Sequence, residues 1–83
     1  MASYRVALLP AAVEEFAAIP FPFRRQINQR LVGLKQNPRP TGAVSVADDR
    51  HALTVHGWLI LYTIDDAAES VTVFAITRES NDP

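Results

Sequence analysis

The segment from Gly57 to Asp66 constrains the fold more than any other. Trp58-Leu59-Ile60-Leu61-Tyr62-Thr63-Ile64 is an unbroken run of aromatic, aliphatic and β-branched side chains, set between a glycine and the Asp65-Asp66 pair. That composition favours a pleated strand, and the punctuation at both ends limits it to a strand's length. The Trp58-Ile60-Tyr62-Ile64 row and the Leu59-Leu61 row are both apolar, which predicts a central strand covered at least in part on both faces. Upstream, His51-Ala52-Leu53-Thr54-Val55-His56 is a shorter strand, and the His56-Gly57 link suits a tight antiparallel hairpin. Downstream, Ser70 to Arg78 is a third strand, reached through Asp65-Asp66-Ala67-Ala68-Glu69. In meander order the three make a small antiparallel sheet.

The first half of the chain reads differently. Tyr4 to Leu9 is a short strand with Tyr4, Val6 and Leu8 on one face. Pro10 ends it and suits the first turn of a helix, where its missing N–H has no partner to lose. Ala11 to Ile19 carries Val13, Phe16 and Ala17 at helical spacing, with Glu14 and Glu15 placed where the helix dipole favours negative charge. After the stiff Pro20-Phe21-Pro22 elbow, a second helix is predicted from about Pro22 to Gln36, with Phe23, Ile27, Leu31 and Leu34 as its apolar stripe. Asn37-Pro38-Arg39-Pro40-Thr41-Gly42 breaks it. Ala43 to Ala47 is a marginal strand, Asp48-Asp49-Arg50 a turn, and Glu79 to Pro83 a polar tail too short to order itself. The expected architecture is α+β: an N-terminal strand and a two-helix hairpin packed on one face of a small antiparallel β-sheet.

With 83 residues, the chain is read as a single domain spanning residues 1–83. A domain this small buries only about 60% of the surface its unfolded chain exposes, so a partner covering leftover apolar surface is expected. There is no cysteine, hence neither a disulfide nor a thiolate metal site. No run approaches the roughly 18 apolar residues of a membrane span, and the N-terminus lacks a signal-peptide core. The expected location is the cytoplasm. A net charge of −1 gives no global attraction to nucleic acid.

The element order, carried by these residues, resembles the RelE/ParE superfamily of toxins from bacterial type II toxin–antitoxin systems. The matching words are Tyr4-Arg5-Val6, Pro10 to Phe16, Ile19-Pro20, Arg24 to Leu34, Asn37-Pro38-Arg39-Pro40 with Gly42, Leu53 to Asp66, and Val71 to Arg78. The resemblance spans nearly the whole chain, and Gly57-Trp58 with Ile60-Leu61-Tyr62 and Ile64-Asp65-Asp66 is its strongest part. It implies a cytoplasmic protein neutralised by a cognate antitoxin that wraps the domain with an extended or helical segment. RelE-like members cleave messenger RNA in the ribosomal A site. ParE-like members share the fold and act on DNA gyrase. Neither branch uses a metal ion or cofactor.

Cleavage without metal needs a group to deprotonate a 2′-hydroxyl, charge to stabilise the phosphorane and an acid for the leaving oxygen. The resemblance implies basic residues on the strand before the hairpin glycine and just after the Gly-aromatic pair. Those positions hold Ala52, Thr54 and Leu59. Arg78 matches a C-terminal arginine of the family, but the tyrosine that often follows has no counterpart. The remaining catalytic candidates are Arg78, His56 and His51, the histidines being the only side chains that ordinarily titrate near neutrality. For nucleic-acid binding the candidates are Arg24, Arg25, Arg30, Lys35 and Arg39, five of the eight cationic residues with no acid between them, together with Arg50. Each has a plain alternative as a solvated residue, and the helical cluster equally suits an acidic antitoxin segment. Trp58 and Tyr62 are expected in the core rather than as base-stacking platforms.

The leading functional expectation is therefore a toxin that inhibits translation as a ribosome-dependent mRNA endonuclease, with ribosome and mRNA as partners. The alternatives are a ParE-like non-nuclease toxin acting on DNA gyrase, or an antitoxin-binding family member without catalysis.

Overall fold

The computed structural model describes residues 3–79. Its elements are β1 (Arg5–Leu8), α1 (Pro10–Ala17), α2 (Phe21–Gly33), β2 (Ala43–Ser45), β3 (Arg50–Val55), β4 (Trp58–Asp65) and β5 (Ser70–Arg78). The five strands form one sheet in the order β1-β5-β4-β3-β2, with β4 in the middle. Strands β2 to β5 pair antiparallel, whereas β1 runs parallel to β5, from Arg5 opposite Ser70 to Leu8 opposite Val73. The sheet is thus mixed, because a first strand followed by two helices returns in the direction of the last one. The tail beyond Glu79 lies outside the described residues.

The hairpin at His56-Gly57 forms as its sequence predicts. Both residues take positive φ, 51° and 84°, which a two-residue turn needs to match the twist of its strands. Histidine is among the side chains that tolerate this region, and glycine occupies it at no steric cost. Arg50, expected in a turn, instead opens β3 opposite Thr63. In β5 the pairing jumps from Ala75 opposite Leu61 to Val73 opposite Tyr62, so Phe74 is an unpaired bulge residue.

Both helices lie on one face. Ala12, Ile19, Ile27, Leu31 and Leu34 join Leu53, Val55, Ile60, Tyr62, Ile64, Val71, Val73 and Ile76 in a single core, with Trp58 packed at its margin. Tyr62 is fully buried and its hydroxyl donates to the Pro38 carbonyl at 2.8 Å, tying the segment after α2 to the central strand. Two expectations, on Phe23 and on the glutamates of α1, are corrected. Phe23 is not part of the buried stripe and is exposed. Leu59 and Leu61 lie outside the core but are half-buried, so the second face of β4 is covered in part. Glu14 and Glu15 fall beyond the first turn of α1 and do not serve its dipole. Glu15 instead reaches the sheet, where Oε1 accepts the Ile76 N–H at 2.8 Å.

Candidate functional site

The sheet face opposite the helices is where the resemblance would put phosphate-binding cations. Alternation along each strand turns Ala52 and Thr54 of β3, Leu59 and Leu61 of β4, and Ala75 and Thr77 of β5 to this side. Val44 of β2 extends the face beside Ala52. None of these can hold an anion by charge. Arg50 is the candidate that reaches this face, its guanidinium 5.6 Å above the Phe74 ring.

The catalytic candidates do not converge. His56 in the hairpin and Arg78 at the end of β5 share one end of the sheet, where the Glu79 N–H donates to the Gly57 carbonyl at 2.8 Å. Arg78 lies opposite Trp58, with its guanidinium 5.0 Å from the indole. His51 is opposite Tyr62, four residues further along β4 and so about 13 Å away. It is 9% exposed on the helix-facing side and stacks on Tyr62 at 5.5 Å. A histidine packed this way is a core residue, separated by the sheet itself from the uncovered face.

The basic cluster is also divided. Arg24 Nε donates to the Ile19 carbonyl at 3.1 Å and its terminal nitrogen to Ala17 at 3.2 Å, so it caps the carbonyls at the end of α1. Arg39 grips Asp66 with both terminal nitrogens, at 2.8 and 3.2 Å, while the Tyr4 hydroxyl donates to the same carboxylate at 2.6 Å. The Arg39 guanidinium, followed by the Tyr4 hydroxyl, holds the Asp66 carboxyl below its ordinary value. The same contact raises the Tyr4 phenol, since ionising it would set two negative oxygens together. Arg39 and Asp66 are 52% and 57% exposed, so the pair is a surface tether of modest strength. Arg25, Arg30 and Lys35 remain exposed and without an ion pair among the described residues.

Sequence reasoning missed a cleft beside α2. Val6 and Leu8 of β1, Phe16 of α1, and Asn28, Leu31, Val32 and Lys35 of α2 or just beyond it line a hollow of about 210 Å³. That is below the usual range of small-molecule sites and suits a few side chains of a polypeptide. The cleft runs on toward Phe21, 69% exposed, and Arg25. Among the described residues no three His, Asp or Glu side chains group as a metal site would require. Among the described residues no helix is long and apolar enough to cross a membrane.

No protein-family model matches the chain, and no curated protein matches it in sequence. Solved structures do. RelE in the archaeal RelE–RelB complex of Pyrococcus horikoshii is similar at a TM-score of 0.84 and 13% identity, over 96% of this chain and 99% of that one. The isolated E. coli RelE toxin matches at 0.84 and 18% identity, over 96% of this chain and 88% of that one. A chain of the chromosomal ParDE system of P. aeruginosa matches at 0.74 and 13% identity, over 94% and 98%. At these identities the likeness is one of architecture: this chain has the α+β fold shared by the RelE and ParE toxins.

Proposed function

We propose that this chain is the toxin of a type II toxin–antitoxin pair, and that it acts by binding its target rather than by cutting RNA. The fold, matched over nearly the full length of RelE and ParE chains, supports the first half. The observation that carries the second is the uncovered sheet face, where Ala52, Thr54 and Leu59 offer a phosphorane no charge. DNA gyrase is the target class that the ParE likeness suggests. The cognate antitoxin is the expected partner, and the cleft along α2 suits an amphipathic segment of it. Val6, Leu8, Phe16 and Val32 would take its apolar side chains, and Lys35 and Arg25 would meet acidic ones.

The second reading, a ribosome-dependent mRNA endonuclease, is favoured by Arg78 and His56 sharing one end of the sheet. One experiment separates the two. The chain is induced alone in bacteria while growth, pulse-labelled protein synthesis and mRNA ends are followed, and purified protein is added to a gyrase supercoiling assay. Arrested growth with translation initially intact, and supercoiling inhibited, is the expected result. Early collapse of translation with mRNA cut on ribosomes, lost in Arg78→Ala, would instead establish the nuclease. Unimpaired growth with soluble protein present would refute toxicity altogether.

A further inference from the structure

The charges of this chain nearly cancel, but they are segregated along it. All nine acids lie outside residues 16–47, whereas five of the eight cations lie within that stretch. α2 runs through the middle of it. Ile27 and Leu31, with Leu34 just past the helix end, set the buried side of α2. At about 100° per residue these three span a narrow arc, and Gln29 falls almost diametrically opposite them. Arg25 lies to one side of Gln29, and Gln26 and then Arg30 lie to the other. All four are exposed, and neither arginine has an ion pair among the described residues. Asn28, Val32 and Lys35, which line the cleft, sit on one flank of the helix. A segment seated in the cleft therefore leaves Gln26, Gln29 and Arg30 uncovered.

We infer that this outward face of α2 binds duplex DNA by lying in the major groove. A helix with its side chains is about 10–12 Å across and the groove is about 12 Å wide, so the two fit. Arg25 and Arg30, splayed to opposite sides, reach the phosphates of the two groove walls. Gln26 and Gln29 between them face the base edges, where an amide's paired donor and acceptor match N7 and N6 of adenine. The row holds no aromatic or branched aliphatic side chain, which a protein partner would need as an anchor and a phosphate backbone does not. The major groove of an RNA duplex is too narrow for side chains to read. Two or three phosphate contacts without a chosen base sequence give weak, salt-sensitive binding. The chain's near-zero net charge does not prevent it, because the acids lie on other elements.

The test is fluorescence anisotropy of a labelled DNA duplex of about 20 base pairs and mixed sequence, titrated with the full-length protein at about 50 to 200 mM salt. The expected result is a micromolar dissociation constant at the low end, with a log–log salt slope of about −2 to −3. Replacing Arg25 and Arg30 together by alanine should flatten the slope by about 2 and weaken binding about tenfold or more. Gln29→Glu sets a carboxylate against the DNA and should also weaken binding about tenfold. Arg50→Ala, on the far side of the sheet, should change nothing. Circular dichroism checks folding, and if the double variant is unfolded, Gln29→Glu decides. No binding at low salt would overturn the inference. So would a slope indifferent to the double variant, or an equal loss in Arg50→Ala. Equal or tighter binding of an RNA duplex or of a single strand would overturn it as well, and would assign the face to that ligand. None of these outcomes depends on which target the toxin has.

Discussion

Replacing Glu15 by alanine should loosen the end of the sheet that carries Arg78. The register explains why. Because Glu79 donates to Gly57, alternation makes Leu59 opposite Thr77 a hydrogen-bonded pair and Ile60 opposite Ile76 a non-bonded one. The Ile76 N–H therefore points away from β4, toward the side where β1 lies. But β1 stops at Leu8, opposite Val73, and cannot reach it. Glu15 Oε1 accepts that N–H instead, at 2.8 Å in a half-buried setting. Hydrogen bonds to a charged group contribute about 1.5–3 kcal/mol, and partial exposure places this one near the lower figure. Alanine's better helix propensity returns about 0.4 kcal/mol, for a net loss near 1 kcal/mol. In a domain of this size that lowers Tm by about 4–8 °C. Glu15→Gln keeps a neutral acceptor and should lose about half as much. Thermal melts and amide exchange at Ile76 check both, with exchange faster in the alanine variant. An unchanged Tm with Ile76 still protected would refute the reasoning.

Other expectations follow from the same contacts. Tyr62→Phe leaves the Pro38 carbonyl without its buried donor and should cost about 1–2 kcal/mol in urea unfolding; an unchanged midpoint would show that water replaces the hydroxyl. Gly57→Val meets open space but must adopt φ near 84°, so backbone strain alone should cost about 1–2 kcal/mol, with Gly57→Asn milder. Asp66 has a folded pKa below its ordinary 3.8, so its contribution is present above that value and lost as pH falls through the lower folded one. The difference in urea midpoint between wild type and Asp66→Asn should accordingly shrink in acid, and parallel pH profiles would exclude the tether.

The elements were legible because each carries its own local signal. Ser70 to Arg78 alternates as a strand, Pro10 and Pro20 delimit helices, and His56-Gly57 is a turn by composition, so these boundaries hold to within a few residues. The site was less legible. His51 and His56 look equivalent in a sequence, but the period of two along β3 sends His51 into the core, and the helices decide which face is the core. The basic cluster is divided because two of its members find partners elsewhere: Asp66 is 27 residues from Arg39, and the carbonyls bound by Arg24 belong to α1 and the residue shortly after it. The cleft along α2 combines β1, α1 and α2, so no local pattern announces it.

By itself, then, the sequence determined the α+β class and the central place of Trp58 to Asp65. Propensity, periodicity and residue chemistry are properties of neighbours in the chain. Only the tertiary structure decided that β1 joins β5 in parallel, that Glu15 serves the sheet and that the helices pack on one face of β4 and not the other. Each of those depends on which backbone groups and side chains distant segments leave unsatisfied, and such accounts close only when the whole chain has packed.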